Sequence, residues 1–216
     1  MSNMEIRKNK RPSSRKPAEL RNVFFDAFLA NNIVLIQAIG ITPIVAAGVT
    51  LQNGVALTLC TAAVLLPASL FLSYIGDRLP SWIRAPLYML GAIIILLGAS
   101  ILIDRLISQQ LYANLYIFLP LTAVNSLVLY RAGGFSVSHE PVAALTEAIA
   151  SSLGFGLVIC VVSALREIAS YGTLWSVPIN SAVKLSEAAL PYAAFLLLGF
   201  MAAFLQWLKT VLERRT

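Results

Sequence analysis

The sequence predicts an all-α integral membrane protein with six transmembrane helices, arranged as two inverted three-helix repeats. Three observations carry that prediction. Of the 216 residues, 58% are hydrophobic and 12% charged, with a mean hydropathy of +0.80, whereas soluble domains hold about 45–50% apolar and about 25% charged residues. The apolar residues fall into segments near the ~20 residues that a helix needs to cross ~30 Å of hydrocarbon. Basic residues gather in alternate connections between those segments, as positive-inside topology requires.

The chain opens with a basic stretch. Arg7, Lys8, Lys10, Arg11, Arg15, Lys16 and Arg21 are seven of its 16 Lys and Arg residues. No aromatic or base-reading side chains are interleaved with them, so the stretch does not read as a nucleic-acid surface. No short apolar core with a small-residue cleavage site follows it, so it does not read as a cleavable signal. It reads as a disordered cytoplasmic tail, residues 1–22, that attracts anionic lipid and fixes topology. Residues 23–216 then form the membrane domain.

Six apolar segments follow, over 23–49, 54–75, 85–103, 111–130, 141–165 and 188–208. With the N terminus inside, the cytoplasmic side carries the seven tail residues, Arg78, Arg84, Arg131, Lys209, Arg214 and Arg215. The other side carries Arg105, Arg166 and Lys184. Thirteen against three places both termini in the cytoplasm. The first and fourth segments are interrupted, by Gly40-Ile41-Thr42-Pro43 and by Pro120 ahead of Asn125-Ser126. Each half therefore begins with a broken helix followed by two plain ones, and three crossings per half put the halves in opposite orientations.

In a bilayer, a break frees backbone N–H and C=O groups that lipid cannot satisfy, so it faces protein or a cavity. Asn31, Asn32, Gln37, Gly40, Thr42 and Pro43 at the first break, with Asn125 and Ser126 at the second, form the candidate site. Their amides and hydroxyls can satisfy the freed backbone groups or line an ion or cofactor site. Two carboxylates lie near the spans. Asp26 sits close to the cytoplasmic end of the first. Glu147 lies about two turns into the fifth and is a candidate ion or proton ligand. Arg166-Glu167 ends the fifth span as an interfacial anchor or a contact with a partner subunit, and Asp104-Arg105 ends the third similarly. Gly91, Gly98, Gly154 and Gly156 are small surfaces for close helix packing.

Cys60 and Cys160 stand alone in apolar segments and give neither a disulfide framework nor a metal cluster. His139, the single histidine, has no companion ligands nearby in sequence. No nucleophile–base constellation, phosphate-binding glycine loop or HExxH element supports soluble-type catalysis.

The two breaks, with Leu129-Tyr130-Arg131-Ala132, Gly154-Phe155-Gly156, Leu165-Arg166-Glu167-Ile168, Gly172-Thr173-Leu174 and Leu190-Pro191, resemble the paired six-helix membrane subunits of Rnf and Nqr respiratory complexes, of the Nqr D and Rnf E type. The resemblance covers nearly the whole chain after the tail. It implies a subunit of the bacterial inner membrane, paired with a homologous six-helix subunit of opposite orientation. It also implies a [2Fe–2S] cluster between the two, held by one cysteine from each broken helix of each subunit, in a complex coupling redox chemistry to ion movement. This chain has Thr42 and Ser126 where the family has those cysteines, and a neutral hydroxyl is a poor ligand for cluster iron. The reading is thus a non-catalytic membrane subunit of an ion-translocating oxidoreductase complex, without cluster ligation from this chain. A stand-alone small-solute or ion transporter using Gln37, Thr42, Asn125 and Ser126 is the alternative, and an assembly subunit with relic breaks is a third reading.

Overall fold

A computed structural model describes residues 17–25, 27–28, 32–75, 80–106, 126–131, 134, 136, 139–179 and 185–213. Asp26, Asn31, Asn125 and most of the segment expected at 111–130 lie outside the described residues. So do residues 1–16 of the expected tail. The described elements are α1 (Pro17–Phe25), α2 (Ile33–Gln37), α3 (Ile41–Ala47), α4 (Leu51–Ile75), α5 (Ser81–Leu106), α6 (Ser126–Arg131) and α7 (Pro141–Tyr171). A two-stranded hairpin follows, β1 (Thr173–Leu174) and β2 (Val177–Pro178), then a 3-10 helix (Ser186–Ala189) and α8 (Pro191–Glu213).

The expectation of six transmembrane helices in two inverted three-helix repeats is corrected here. Among the described residues, three helices are long and apolar enough to cross a membrane: Leu51–Ile75, Pro141–Tyr171 and Pro191–Val211. A fourth apolar stretch, Pro86–Gly98 within α5, is shorter. The segment expected at 23–49 is divided among α1, α2 and α3, of nine, five and seven residues. At 1.5 Å per residue, none reaches even half of a ~30 Å hydrocarbon core. The physical reason is local. Ala38 and Gly40 both take positive φ, 56° and 82°, and two left-handed residues in three end one helix and redirect the next.

The centre of the fold is an antiparallel pair, α4 against α7. The Ser73 hydroxyl donates to the His139 carbonyl at 2.7 Å at one end, and the Leu51 N–H donates to Glu167 Oε2 at 2.7 Å at the other. Leu57, Val64, Leu65, Phe155, Val158, Ile159 and Val162 fill the seam. Small residues let the backbones approach. A Cβ on Gly156 would fall 2.4 Å from the Thr58 methyl, and one on Gly54 would fall 2.9 Å from Ser163 Oγ. Gly91 and Gly98 in α5 have nothing within 4 Å of the corresponding position among the described residues.

Capping fixes the ends of α7. Pro141 occupies its first turn after Glu140, and Gly172 closes it at φ 67° with its N–H on the Ile168 carbonyl, the usual roles of these two residue types. Exposed tyrosine and tryptophan mark the helix ends. Tyr74, Trp82, Tyr130 and Trp207 lie toward one end and Tyr171, Trp175 and Tyr192 toward the other, the distribution expected of interfacial aromatic belts.

Candidate functional site

The first break is built from short helices whose free backbone groups are satisfied from elsewhere. Asn32 precedes α2, and its Oδ1 accepts the N–H groups of Val34 at 3.0 Å and Leu35 at 3.4 Å. That is an N-cap, which supplies two of the donors a helix start leaves open with an acceptor. Its Nδ2 donates to the carbonyls of Phe28 and Gly154, each at 3.1 Å. The same amide therefore starts α2 and ties it to the middle of α7. Only glycine leaves room for this, because a Cβ on residue 154 would sit 2.9 Å from Asn32 Nδ2 and 3.0 Å from the Phe28 carbonyl.

Beyond α2 the chain turns at Ala38–Gly40 and enters α3. The Gly40 N–H donates to Ser126 Oγ at 3.2 Å. The first break is therefore tied to Ser126, 86 residues on in sequence. Gly40 and Pro43 are buried, whereas Gln37, Thr42 and Ser126 are exposed. The break thus has a buried inner side and an open edge that carries two hydroxyls.

The far end of α3 points at α7. A helix C-terminus leaves four carbonyls without partners inside the helix. Arg166 Nη1 donates to the carbonyls of Ile44 and Val45 at 3.3 Å and of Gly48 at 2.8 Å. Asn53 Nδ2 donates to the Ala47 carbonyl at 3.1 Å. The rest of the guanidinium faces the 3-10 helix: Nε donates to the Ala188 carbonyl at 3.2 Å, and Nη2 to those of Ala189 at 2.7 Å and Leu190 at 3.4 Å. A cation at these carbonyl ends is also favoured by the helix dipole.

Glu167 grips the opposite kind of group. Besides the Leu51 N–H, it accepts the Thr173 hydroxyl at 3.1 Å and the Ser176 N–H at 2.9 Å through Oε1. This holds the hairpin turn, where Trp175 and Ser176 both have positive φ, 56° and 64°. Arg166 and Glu167 are each 1% exposed. The sequence pointed to an interfacial anchor or a partner contact for this pair, and the structure turns both side chains inward. Adjacent helical residues project about 100° apart, so one reaches α3 and the 3-10 helix while the other reaches α4 and the hairpin.

Glu147 is 1% exposed and its Oε1 accepts the Ser151 hydroxyl at 3.1 Å. It lies nearly twenty residues before Arg166 on the same helix, about 28 Å along the axis. The structure therefore separates it from the α3 end of the break. His139 contributes its backbone carbonyl to the Ser73 contact.

The donor set does not fit an iron–sulfur cluster. Thr42 and Ser126 offer hydroxyls at the break, and Ser126 Oγ already accepts the Gly40 N–H. Cys60 is fully buried on α4, and Cys160 is half-buried on α7; neither belongs to α3 or α6. Among the described residues, no group of three or more His, Cys, Asp or Glu is placed to hold a metal ion. Cluster iron is held by thiolate, or by imidazole in one class.

Three long apolar helices, a broken segment tied to residue 126 and a buried Arg–Glu pair describe a polytopic membrane protein. A family model described as "Rnf-Nqr subunit, membrane protein" matches residues 20–202, and the chain belongs to that family. It is similar to the E subunit of the ion-translocating oxidoreductase complex of Edwardsiella ictaluri (strain 93-146), 31% identical over 213 residues covering 92% of this chain and 88% of that protein. It is likewise similar to the E subunits of the complexes of Shewanella sp. (strain ANA-3), 29% identical over 90% and 88% of the two chains, and of Shewanella piezotolerans, 31% identical over 73% and 68%. The chain is a multi-pass protein of the bacterial inner membrane.

Proposed function

We propose that this chain is the E-type membrane subunit of an ion-translocating oxidoreductase complex and that it ligates no cluster itself. The observation that carries the reading is likeness from end to end: proteins named as that subunit match about 90% of this chain and 88–90% of their own length. In this reading the subunit is non-catalytic. It frames the break, and its exposed edge at Thr42 and Ser126 meets a homologous membrane subunit of opposite orientation. The alternative transporter reading has no comparable support.

The basic residues orient the chain. Residues 1–22 form a cytoplasmic tail whose last residues enter α1, and residues 23–216 form the membrane domain. The site residues are Asn31, Asn32, Gln37, Gly40, Thr42, Pro43, Asn125 and Ser126, with Glu147 as a separate ion or proton ligand. A carboxylate this deeply buried on a spanning helix is costly to keep unless it is used.

Affinity purification of the tagged chain from its native membrane tests the proposal. Redox subunits and a homologous membrane subunit should co-purify in fixed ratio, and loss of the chain should abolish redox-driven ion uptake by vesicles. A chain that purifies alone and moves an ion or solute in liposomes without redox partners would overturn it.

A further inference from the structure

We propose that Arg166 is the positioning residue of the break. Its guanidinium fills a cage of backbone carbonyls between α3 and the 3-10 helix and thereby sets the angle at which α3 brings Gly40 to Ser126. The cage has six oxygens from two chain segments. Ile44, Val45 and Gly48 supply three at 2.8–3.3 Å. Ala188, Ala189 and Leu190 supply three at 2.7–3.4 Å. A planar fork of five N–H donors suits such a two-sided set, and a lysine ammonium with three donors does not.

Glu167 completes the grip. The α3–α4 elbow comprises residues 48–50 and is held at its carbonyl side by Arg166 on Gly48 and at its N–H side by Glu167 on Leu51. The two side chains come from one turn of the most deeply buried spanning helix, so the elbow is fixed to a rigid base. The helix it aims is only seven residues long. Alone, a helix that short has no stable direction in space. Gly40 caps its other end and carries the contact with Ser126. The anchor and the contact are therefore the two ends of one short lever, about 10 Å long.

Cross-linking across the break reads the lever without any redox partner, so its failure leaves the proposed function standing. Thr42 is two residues from Gly40, at most ~7 Å of chain, and both Thr42 and Ser126 are exposed. A Thr42→Cys/Ser126→Cys chain with Cys60 and Cys160 replaced by alanine, expressed as the full chain in membranes that lack the other subunits, is treated with a short bis-maleimide. Arg166→Ala should slow cross-linking by about tenfold, the shift that loss of one charge-assisted hydrogen bond can produce. Thiol labelling at Tyr74→Cys, at the far end of α4, should not change. Guanidinium at non-denaturing concentration should restore the rate by refilling the cage, and sodium should not.

Unchanged cross-linking in Arg166→Ala would overturn the proposal, as would equal rescue by sodium. If Arg166→Ala does not reach the membrane, Arg166→Lys carries the test. It keeps the charge but loses the fork, so cross-linking should still slow, and the parental rate would overturn the proposal.

Discussion

The α4–α7 pair and the interrupted segment 32–48 lie side by side and are held by opposite means. In the pair, each helix satisfies nearly all of its own backbone, the turn before Pro67 of α4 apart, so the sequence is free to be apolar and small. Gly54, Gly156, Thr58 and Ser163 mediate the close approach, and large aliphatics fill the seam. In the interrupted segment the backbone cannot satisfy itself. Free groups there are met by polar side chains: Asn32 at the start of α2, Ser126 at Gly40, and Arg166 with Asn53 at the end of α3. A membrane offers no water to make up for a missing partner. The lesson is that the polar side chains around the break are placed by where the backbone stops being helical.

The sharpest way to break this contrast is to remove Arg166. Arg166→Met keeps most of the side-chain volume but strands carbonyls at about 1–3 kcal/mol each. Even with partial relaxation, the loss should be on the order of 4 kcal/mol, read as lowered thermal stability of the detergent-solubilised complex. Next is the pair itself. Gly156→Val drives a branched side chain onto Thr58, whose hydroxyl is already bonded to the Gly54 carbonyl at 2.7 Å. It should cost about 1–3 kcal/mol in the same melting measurement, as overpacking does. Gly154→Ala should act differently, because its Cβ meets the Asn32 amide and the Phe28 carbonyl rather than a side chain of α4. It and Asn32→Leu should cost similar amounts, about 1–2 kcal/mol, and the double substitution should cost clearly less than their sum. Ser126→Ala removes a single neutral acceptor at an exposed edge and should cost about 1 kcal/mol or less.

The sequence made the continuous helices legible. Segments expected at 54–75, 85–103, 141–165 and 188–208 correspond to Leu51–Ile75, Ser81–Leu106, Pro141–Tyr171 and Pro191–Glu213. Unbroken apolar runs bounded by Pro, Gly and charge carry enough information for that. The position of the first break was legible too, because Gly40 and Pro43 announce it. Two things were not. Apolar length over 23–49 looked like a crossing, yet the left-handed turn at Ala38–Gly40 divides it into pieces too short to cross. A positive φ at alanine leaves no mark in a sequence. The inward reach of Arg166 and Glu167 was hidden as well, because many of the groups they meet are backbone atoms 116–122 residues away. Backbone acceptors carry no residue signature, so a charged pair near a helix end reads as an anchor.

Central to this contrast is the proposal that the break frames a redox complex without giving it a ligand. The most direct measurement is iron and acid-labile sulfide in the purified complex, before and after the double substitution Thr42→Ala/Ser126→Ala. The predicted result is the same iron and sulfide per complex and the same paramagnetic signal on reduction in both. Loss of iron or a changed signal on removing the two hydroxyls would contradict it.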